Sequence, residues 1–156
     1  MIVDIKDLTT QLKVDGPLYT KEDCTDHDCV AAIITCRNAL LVFDHIKMDR
    51  VAVPVGKVKS GQKIEDALKE EMKEELGIDL LDWEEVITFV RPYIINDVPV
   101  RIVYHIFHII KFGGIIRNLE PHKHKNLRFI SIKEAKKIMN LSTAAISAIR
   151  YLDARR

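Results

Sequence analysis

The sequence predicts a single α/β domain that spans residues 1–156. Short segments rich in β-branched and aromatic residues alternate with amphipathic helical segments, which is typical of mixed α and β architecture. No repeat, low-complexity tract or linker divides the chain. A length of 156 residues is enough to bury one substantial hydrophobic core.

Composition and charge exclude several classes of protein. Hydrophobic residues make up 47% and charged residues 30%, as in soluble globular proteins. The 24 Lys and Arg residues balance 23 Asp and Glu residues, so no global positive field indicates nucleic-acid or membrane binding. The first ten residues have neither the basic start nor the apolar core of a signal peptide, and no apolar run reaches the roughly 18 to 20 residues of a membrane span. We therefore expect a cytoplasmic protein.

The three cysteines favour free thiols over a disulfide framework. They are few and odd in number: Cys24, Cys29 and Cys36. Cys24, His27 and Cys29 have a spacing that resembles part of a zinc site, but no second pair of ligands follows at the expected distance. A zinc site is therefore not favoured.

The first half of the chain predicts a hairpin and a further strand. Val30–Thr35 and Ala39–Phe43 are β-favouring apolar runs on either side of the polar pair Arg37-Asn38, which suits a tight turn. Val51–Val55 is another short run of the same kind. These segments come directly before the clearest helix of the sequence.

That helix is predicted over Ile64–Leu76. Its residues are mainly Ala, Leu, Met, Glu and Lys, which are good helix formers, and Gly77 follows as a natural C-terminal stop. The apolar residues fall within one arc of the helix: Ile64, Ala67, Leu68, Met72 and Leu76. We expect this arc to face the core.

The second half predicts further strands and two closing helices. Glu85–Arg91, Val100–Lys111 and Leu127–Ile130 are predicted as strands. Ser131 with Glu134 forms a capping box that opens a short helix to about Asn140. Ser142 precedes a last helix, in which one face carries Ala145, Ile146, Ile149 and Leu152.

Three glutamates of the Ile64–Leu76 helix are difficult to explain as ordinary surface residues. Glu71 and Glu75 project into the apolar arc and Glu74 lies at its edge. Spacings of three and four residues crowd these like charges together, which costs free energy and costs more on partial burial. A hard divalent cation such as Mg²⁺ would remove the conflict, because it binds carboxylate oxygens, waters and phosphates. The helix then becomes a metal platform, whereas the alternative is a charge-rich helix with solvated glutamates.

The segment from Gly56 to Ile78, GKVKSGQKIEDALKEEMKEELGI, resembles the Nudix box. The matching positions are Gly56, Glu71, Met72, Glu74, Glu75, Gly77 and Ile78. The resemblance implies the Nudix fold, an α/β/α sandwich with a mixed central sheet. It also implies a hydrolase similar to the MutT-like nucleoside triphosphate pyrophosphatases of that family.

The resemblance assigns roles to individual residues. It implies that Glu71, Glu74 and Glu75 are metal ligands for Mg²⁺, with Mn²⁺ as an alternative ion. Gly56 and Lys57, in the turn before the helix, are candidate substrate-binding residues. A glutamate of the helix, Glu71 or Glu74, is a candidate catalytic residue that takes a proton from the attacking water.

Three positions depart from the family pattern. Gln62 stands where the family has glutamate, and Glu70 stands where it has arginine. The arginine of the family helps to orient the neighbouring glutamate, so Glu70 inverts the charge beside Glu71 and should weaken or alter metal binding. Val55 replaces the first glycine of the common Pro-Gly-Gly-Lys turn. These departures raise the alternative of a catalytically weak nucleotide-binding module.

A second candidate segment is Glu120-Pro-His-Lys-His124. Family members that cleave nucleoside triphosphates often carry a Glu-Pro-x-Lys-His stretch, so Glu120 is a candidate fourth carboxylate or general base, and a solvated loop residue is the alternative. Surface placement is favoured for His122, Lys123 and His124, and contact with the phosphate or base of a substrate is the alternative. His105 and His108, three residues apart on a strand, should point to opposite faces and serve packing or hydrogen bonding.

The most specific function that the sequence supports is hydrolysis of a phosphoanhydride bond in a nucleoside diphosphate derivative. We favour a (deoxy)nucleoside triphosphate as substrate and a nucleoside monophosphate and pyrophosphate as products. Dinucleoside polyphosphates, nucleotide sugars and RNA caps remain open, as does a structural protein with a coincidental acidic helix. A homodimer is an analogy with the family only.

Overall fold

The computed structural model describes residues 2–3, 25–95 and 97–155. The strands are β1 (Ile2–Val3), β2 (Thr25–Ile33), β3 (Thr35–Cys36), β4 (Ala39–His45), β5 (Arg50–Ala52), β6 (Val55–Lys57), β7 (Asp79–Ile95), β8 (Val98–Gly113) and β9 (His124–Ser131). The helices are α1 (Ile64–Leu76), α2 (Ile132–Ala135) and α3 (Thr143–Ala154). The prediction about a signal peptide and the one about Cys24 concern residues outside this description.

The strands form two sheets, of which the larger is mixed. Its order is β1-β7-β8-β2-β6, with β1 parallel to β7 and β2 parallel to β8, and the other pairs antiparallel. The second sheet has the order β3-β4-β5, and β9 pairs with β4. The chain passes from one sheet to the other at Ile34, whose carbonyl accepts a hydrogen bond from the Leu41 N–H at 2.9 Å.

The larger sheet lies between α1 and α3. Alternate residues of a strand point to opposite faces, and in β2 these faces belong to two separate cores. Val30 and Ala32 pack with α1, whereas Ala31 and Ile33 pack with α3. The predicted α/β/α sandwich with a mixed central sheet is therefore confirmed.

Helix α1 has the predicted bounds. Ala67, Leu68, Met72 and Leu76 are buried against the sheet. The helix ends at Gly77, which has a left-handed φ of 72° and donates its N–H to the Lys73 carbonyl. A glycine is favoured there because this conformation is strained for residues with a Cβ.

The closing helices begin at the predicted caps, but α2 is shorter than expected. The Ser131 side chain accepts a hydrogen bond from the Glu134 N–H, yet α2 ends at Ala135 and not near Asn140. The backbone of Asn140 instead accepts a hydrogen bond from the Val51 N–H at 2.9 Å, which ties this segment to β5.

Helix α3 begins after Ser142, as expected, but its buried face is rotated. The fully buried residues are Ala144, Ala145, Ala148 and Ile149, whereas Ile146 and Leu152 are half-buried. The small alanine side chains face the sheet and allow close packing. None of the described helices combines the length and apolar character that crossing a membrane requires.

The predicted strand Val51–Val55 is two strands in different sheets. β5 pairs with β4 in the second sheet, and β6 pairs with β2 in the first. Pro54 lies between them, and its carbonyl accepts a hydrogen bond from the Ala32 N–H at 3.0 Å. Proline has no N–H to continue a ladder, so it suits the crossover. This crossover places Gly56 beside α1.

Candidate metal centre

The glutamates of α1 differ in burial, as their places on the helix predict. Glu75 is 4% exposed, Glu71 is half-buried, and Glu74 is exposed. Their helix neighbours Met72 and Leu76 are buried in the core. The two carboxylates on the core side of α1 are therefore partly or wholly removed from water.

Gly56 lies directly beneath the Glu71 side chain. A Cβ at position 56 would stand 2.0 Å from Cγ and 2.1 Å from Cδ of Glu71. Real non-bonded carbon atoms do not approach so closely, so only glycine leaves this path open. The observed role of Gly56 is to make room for a carboxylate of α1.

Lys57, the other residue expected in this turn, is exposed. It pairs with Cys29 across the β2–β6 ladder, and successive strand residues point to opposite faces. Its side chain therefore leaves the sheet on the face away from α1, whereas Gly56 faces α1. The charge of Lys123 acts on both Glu71 and Glu75 and opposes the rise of their pKa values.

Burial and mutual repulsion make both inward glutamates weak acids. Burial, with the charges of Glu74 and Glu120, raises the pKa of Glu71 to about 7. Burial and the charge of Glu71 raise the pKa of Glu75 to about 9. Oε2 of Glu75 is buried and has no hydrogen-bond partner among the described residues. A buried carboxylate in this condition requires a proton or a cation nearby.

The segment before β9 brings further donor groups to the end of α1. The Leu119 N–H donates to the Glu75 carbonyl at 2.9 Å, and the Arg117 N–H donates to the Leu76 carbonyl at 3.0 Å. These bonds satisfy carbonyls that a helix end leaves without partners. They also fix the position of Glu120, the next residue along the chain.

Glu120 and His124 meet Glu75 at this point. One potential ligand atom from each of these three residues lies within 4.8 Å of the other two. The Glu120 side chain is 20% exposed and accepts a hydrogen bond from Nζ of Lys123 at 3.0 Å. This contact raises the pKa of Lys123. Glu120 is therefore partly buried beside Glu75 and is not a fully solvated loop residue.

The expected surface placement is correct for His122 and Lys123 but wrong for His124. His124 is 6% exposed, and its ring lies 4.0 Å from that of Phe43, measured between ring centroids. Burial and the nearby His45 lower the pKa of His124 to about 4, so its ring is neutral at pH 7. The sequence carried no signal for its burial, because β9 begins at this residue and its pairing with β4 is a long-range contact.

Two of the three departures from the family pattern, Gln62 and Glu70, contact each other. Nε2 of Gln62 donates to Oε2 of Glu70 at 2.9 Å, and Nζ of Lys59 forms an ion pair with Oε1 of Glu70. The hydrogen bond from Lys59 lowers the pKa of Glu70. Glu70 therefore joins α1 to the turn before it, although its charge also contributes to the raised pKa of Glu71.

His105 and His108 point to opposite faces, as predicted. The ring nitrogens of His105 contact Asp28 at 2.8 Å and Glu85 at 3.0 Å. His108 packs edge-on against Tyr151 of α3. Neither belongs to the group around Glu75, and both have the hydrogen-bonding or packing role expected of them.

The donor set at the end of α1 fits a divalent cation. It consists of a carboxylate oxygen of Glu75, a carboxylate oxygen of Glu120 and the neutral imidazole of His124. Oε2 of Glu75 has no hydrogen-bond partner among the described residues. Glu71 is close enough for its charge to raise the pKa of Glu75. Hard divalent ions bind such oxygen donors, and the charge of the ion would offset the repulsion among the glutamates.

Comparison with known proteins gives a family match over most of the chain. The sequence profile described as the NUDIX domain matches residues 25–152. No significant match is found among curated protein sequences.

Solved structures give the same fold. A MutT NUDIX hydrolase from Burkholderia pseudomallei is 22% identical, with a TM-score of 0.72 over 81% of this chain and 97% of that one. The ORF135 protein of E. coli is 26% identical, with a TM-score of 0.66 over 89% of this chain and 94% of its own. A MutT protein from Bacillus halodurans is 16% identical, with a TM-score of 0.67 over 81% and 82% of the two chains.

Proposed function

This chain belongs to the NUDIX domain family, and from that premise we propose that it hydrolyses a (deoxy)nucleoside triphosphate to the monophosphate and pyrophosphate. Membership of the family supports the coarser statement that the chain is a phosphoanhydride hydrolase of the pyrophosphohydrolase type. The proposed metal is Mg²⁺, with Mn²⁺ as an alternative. The observation that carries the proposal is the convergence of Glu71, Glu75 and Glu120 at the end of α1.

Each residue of the site has a proposed role. We propose Glu71, Glu74 and Glu75 as metal ligands, with Glu120 as a fourth carboxylate; Glu74 is exposed at the rim of α1 and would bind from the solvent side. A bound divalent ion neutralises charge on the diphosphate oxygens and lowers the pKa of a bound water. Lys123 supplies a cation for the substrate phosphates from its place beside Glu120.

We assign the general base to Glu71, with Glu120 and Glu74 as the other candidates. A general base is most effective when its pKa lies near the working pH, and the pKa of Glu71 is raised to about 7. Gly56 leaves the Glu71 side chain its path across β6 and so sets where this carboxylate lies. Lys57 also stays a proposed substrate contact; because its exposed side chain leaves the sheet on the face away from Glu71, it would contact a part of the substrate other than the diphosphate at the metal.

The substrate proposal depends on two observations. The Glu120-Pro-His-Lys-His124 stretch resembles that of family members that cleave nucleoside triphosphates, and a carboxylate oxygen of Glu120 lies within 4.8 Å of one of Glu75. The structural neighbours include proteins described as MutT, although at these identities they show the fold alone. Dinucleoside polyphosphates, nucleotide sugars and capped RNA are the competing substrates.

A nucleotide panel tests the proposal. Release of pyrophosphate or phosphate would be measured for each of the eight common triphosphates, a dinucleoside polyphosphate and a nucleotide sugar, with Mg²⁺ or Mn²⁺. We expect a triphosphate to give the highest kcat/KM with pyrophosphate as product. Glu71→Gln and Glu75→Gln should each lower kcat about 100-fold or more.

Glu65→Gln is the matched control for these variants. Glu65 is an exposed glutamate in the first turn of the same helix, away from the site, and its replacement should leave kcat within about twofold. Nucleotide binding without turnover of any substrate would contradict the enzyme proposal and favour a binding module. Absence of both metal and nucleotide binding would instead favour a structural role.

Three further parts of the proposal come from the sequence. We propose that residues 1–156 act as one domain, that the reaction takes place in the cytoplasm, and that the chain forms a homodimer. Light scattering coupled to gel filtration would measure the mass in solution against the 17.9 kDa of one chain. A mass of one chain would contradict the homodimer.

A further inference from the structure

His124 is a nitrogen donor placed among the carboxylates of the site. It is the first residue of β9, and one of its ring nitrogens lies within 4.8 Å of a carboxylate oxygen of both Glu75 and Glu120. We propose that His124 is a ligand of the bound metal and that it gives this site a preference for Mn²⁺ over Mg²⁺. The inference rests on the metal site of the proposed function, but not on its substrate.

The ring of His124 is held in place without using its nitrogens. Its backbone N–H donates to the Glu120 carbonyl at 3.0 Å, and its ring packs against Phe43. Among the residues that the structure describes, neither ring nitrogen has a hydrogen-bond partner. The ring nitrogens are not sealed from solvent, so they are free to bind an ion at the point that Glu75 and Glu120 also reach.

A second observation indicates a cation at the same place. Glu75 is 4% exposed, and its Oε2 has no hydrogen-bond partner among the described residues. Glu75 therefore brings an unsatisfied carboxylate oxygen, and His124 an available ring nitrogen, to one point, although they come from different elements of the fold. The shared partner that suits a carboxylate and a neutral imidazole is a divalent cation.

The neighbouring histidines are less suited to the role. Nδ1 of His45 already accepts a hydrogen bond from the Met48 N–H at 3.1 Å. His122 is exposed and lies outside the group formed by Glu75, Glu120 and His124. His124 is therefore the histidine that we expect to bind the metal.

An imidazole ligand changes which metal the site prefers. Mg²⁺ favours oxygen ligands and retains several waters, so it gains little from a nitrogen donor. First-row transition ions bind nitrogen more strongly, and Mn²⁺ is the weakest of that series, which makes it a demanding test. The preference should be lost when residue 124 carries an oxygen donor in place of the ring.

The direct test is pulsed electron paramagnetic resonance of Mn²⁺ bound to the protein without nucleotide. A coordinated imidazole gives a nitrogen hyperfine signal, which we expect in the wild-type protein and which should change when the histidines carry ¹⁵N. His124→Gln should remove the signal, whereas the matched control His122→Gln should retain it. The labelled wild-type protein carries the test even if His124→Gln does not fold.

Two results would overturn the inference. One is the absence of a histidine nitrogen signal from bound Mn²⁺ in the wild-type protein. The other is a signal that survives in a folded His124→Gln variant, because the ligand would then be another histidine. Thermal unfolding of each variant without metal would establish that it is folded.

Calorimetric titration tests the preference itself. His124→Gln should weaken Mn²⁺ binding about tenfold, as expected for loss of one ligand, and should change Mg²⁺ binding less than about threefold. Equal losses for the two ions would contradict the preference. Because no measurement here requires turnover, an inactive protein with a nitrogen signal would overturn the proposed function and leave this inference standing.

Discussion

The residue type at position 56 is determined by the side chain of another residue, Glu71. The backbone conformation at position 56 does not require glycine, because Gly56 is not one of the glycines with a positive φ. The requirement comes from Glu71, whose Cγ and Cδ occupy the space that a Cβ at position 56 would take. The glycine therefore controls the position of a carboxylate and makes little contribution of its own to the fold.

Gly56→Ala should impair function more than stability. The Glu71 side chain can rotate away from the new methyl group, so we expect a folded protein with kcat/KM lowered about 100-fold, as a displacement of about 1 Å in a catalytic group can cause. Turnover and thermal unfolding would be measured together. Gly113→Ala is the control, because its Cβ would meet only Leu81 Cδ1, at an ordinary 3.9 Å. Equal activity in both variants would contradict this explanation.

The helix α1 shows how far the sequence predicts an element and its site. Its bounds, its glycine stop and its inward-facing Glu71 and Glu75 follow from composition and from the helical period, which are local properties. The burial of His124 could not be predicted in this way, because it depends on the pairing of β9 with β4. The division of Val51–Val55 between two sheets was missed for the same reason.

The pair Gln62 and Glu70 illustrates a departure that the structure makes intelligible. Sequence comparison indicated a charge inversion beside Glu71. The structure adds that Glu70 binds Gln62 and Lys59, so the turn and α1 remain joined. What remains of the inversion is electrostatic, because the charge of Glu70 is one of the causes that raise the pKa of Glu71, after burial and the charges of Glu74 and Glu120.

Glu70→Arg should therefore shift metal binding to lower pH. A positive charge at position 70 lowers the pKa of Glu71, so Glu71 ionises at a lower pH and can bind a cation there. We expect the midpoint of pH-dependent Mn²⁺ binding to fall by roughly 0.5 to 1 unit. The control is Glu65→Arg, the same reversal at an exposed position of the first turn, which should leave the midpoint in place. A shift common to both variants would indicate only a change in net charge.

For the whole molecule, the raised pKa values of Glu71 and Glu75 link folding to pH. Both groups hold protons in the folded chain that the unfolded chain releases, since their pKa values rise from 4.5 to about 7 and about 9. Their contribution to stability is complete below pH 4.5 and is lost as the pH rises towards 9. His124 acts in the opposite sense between about pH 4 and 6.5, because its pKa is lowered.

The effect of the glutamates should therefore be visible above pH 6.5. Without metal, we expect Tm to fall by about 5 °C between pH 6.5 and 9. Glu75→Gln, which cannot ionise, should remove most of this decrease, and saturating Mg²⁺ should reverse it by binding the ionised form. Calorimetry of the wild-type and variant proteins would measure all three. A Tm independent of pH in the metal-free protein would contradict the assigned burial of these charges.

The backbone hydrogen bonds from Arg117 and Leu119 to the carbonyls of α1 have a consequence for the nascent chain on the ribosome. During synthesis, α1 and its glutamates leave the ribosome before the long strands β7 and β8, and Glu120 and His124 follow only after both. A chain stopped before residue 117 can form the helix but holds only part of the donor set. The complete donor set can therefore form only after residue 124 has been synthesised and β9 has paired with β4.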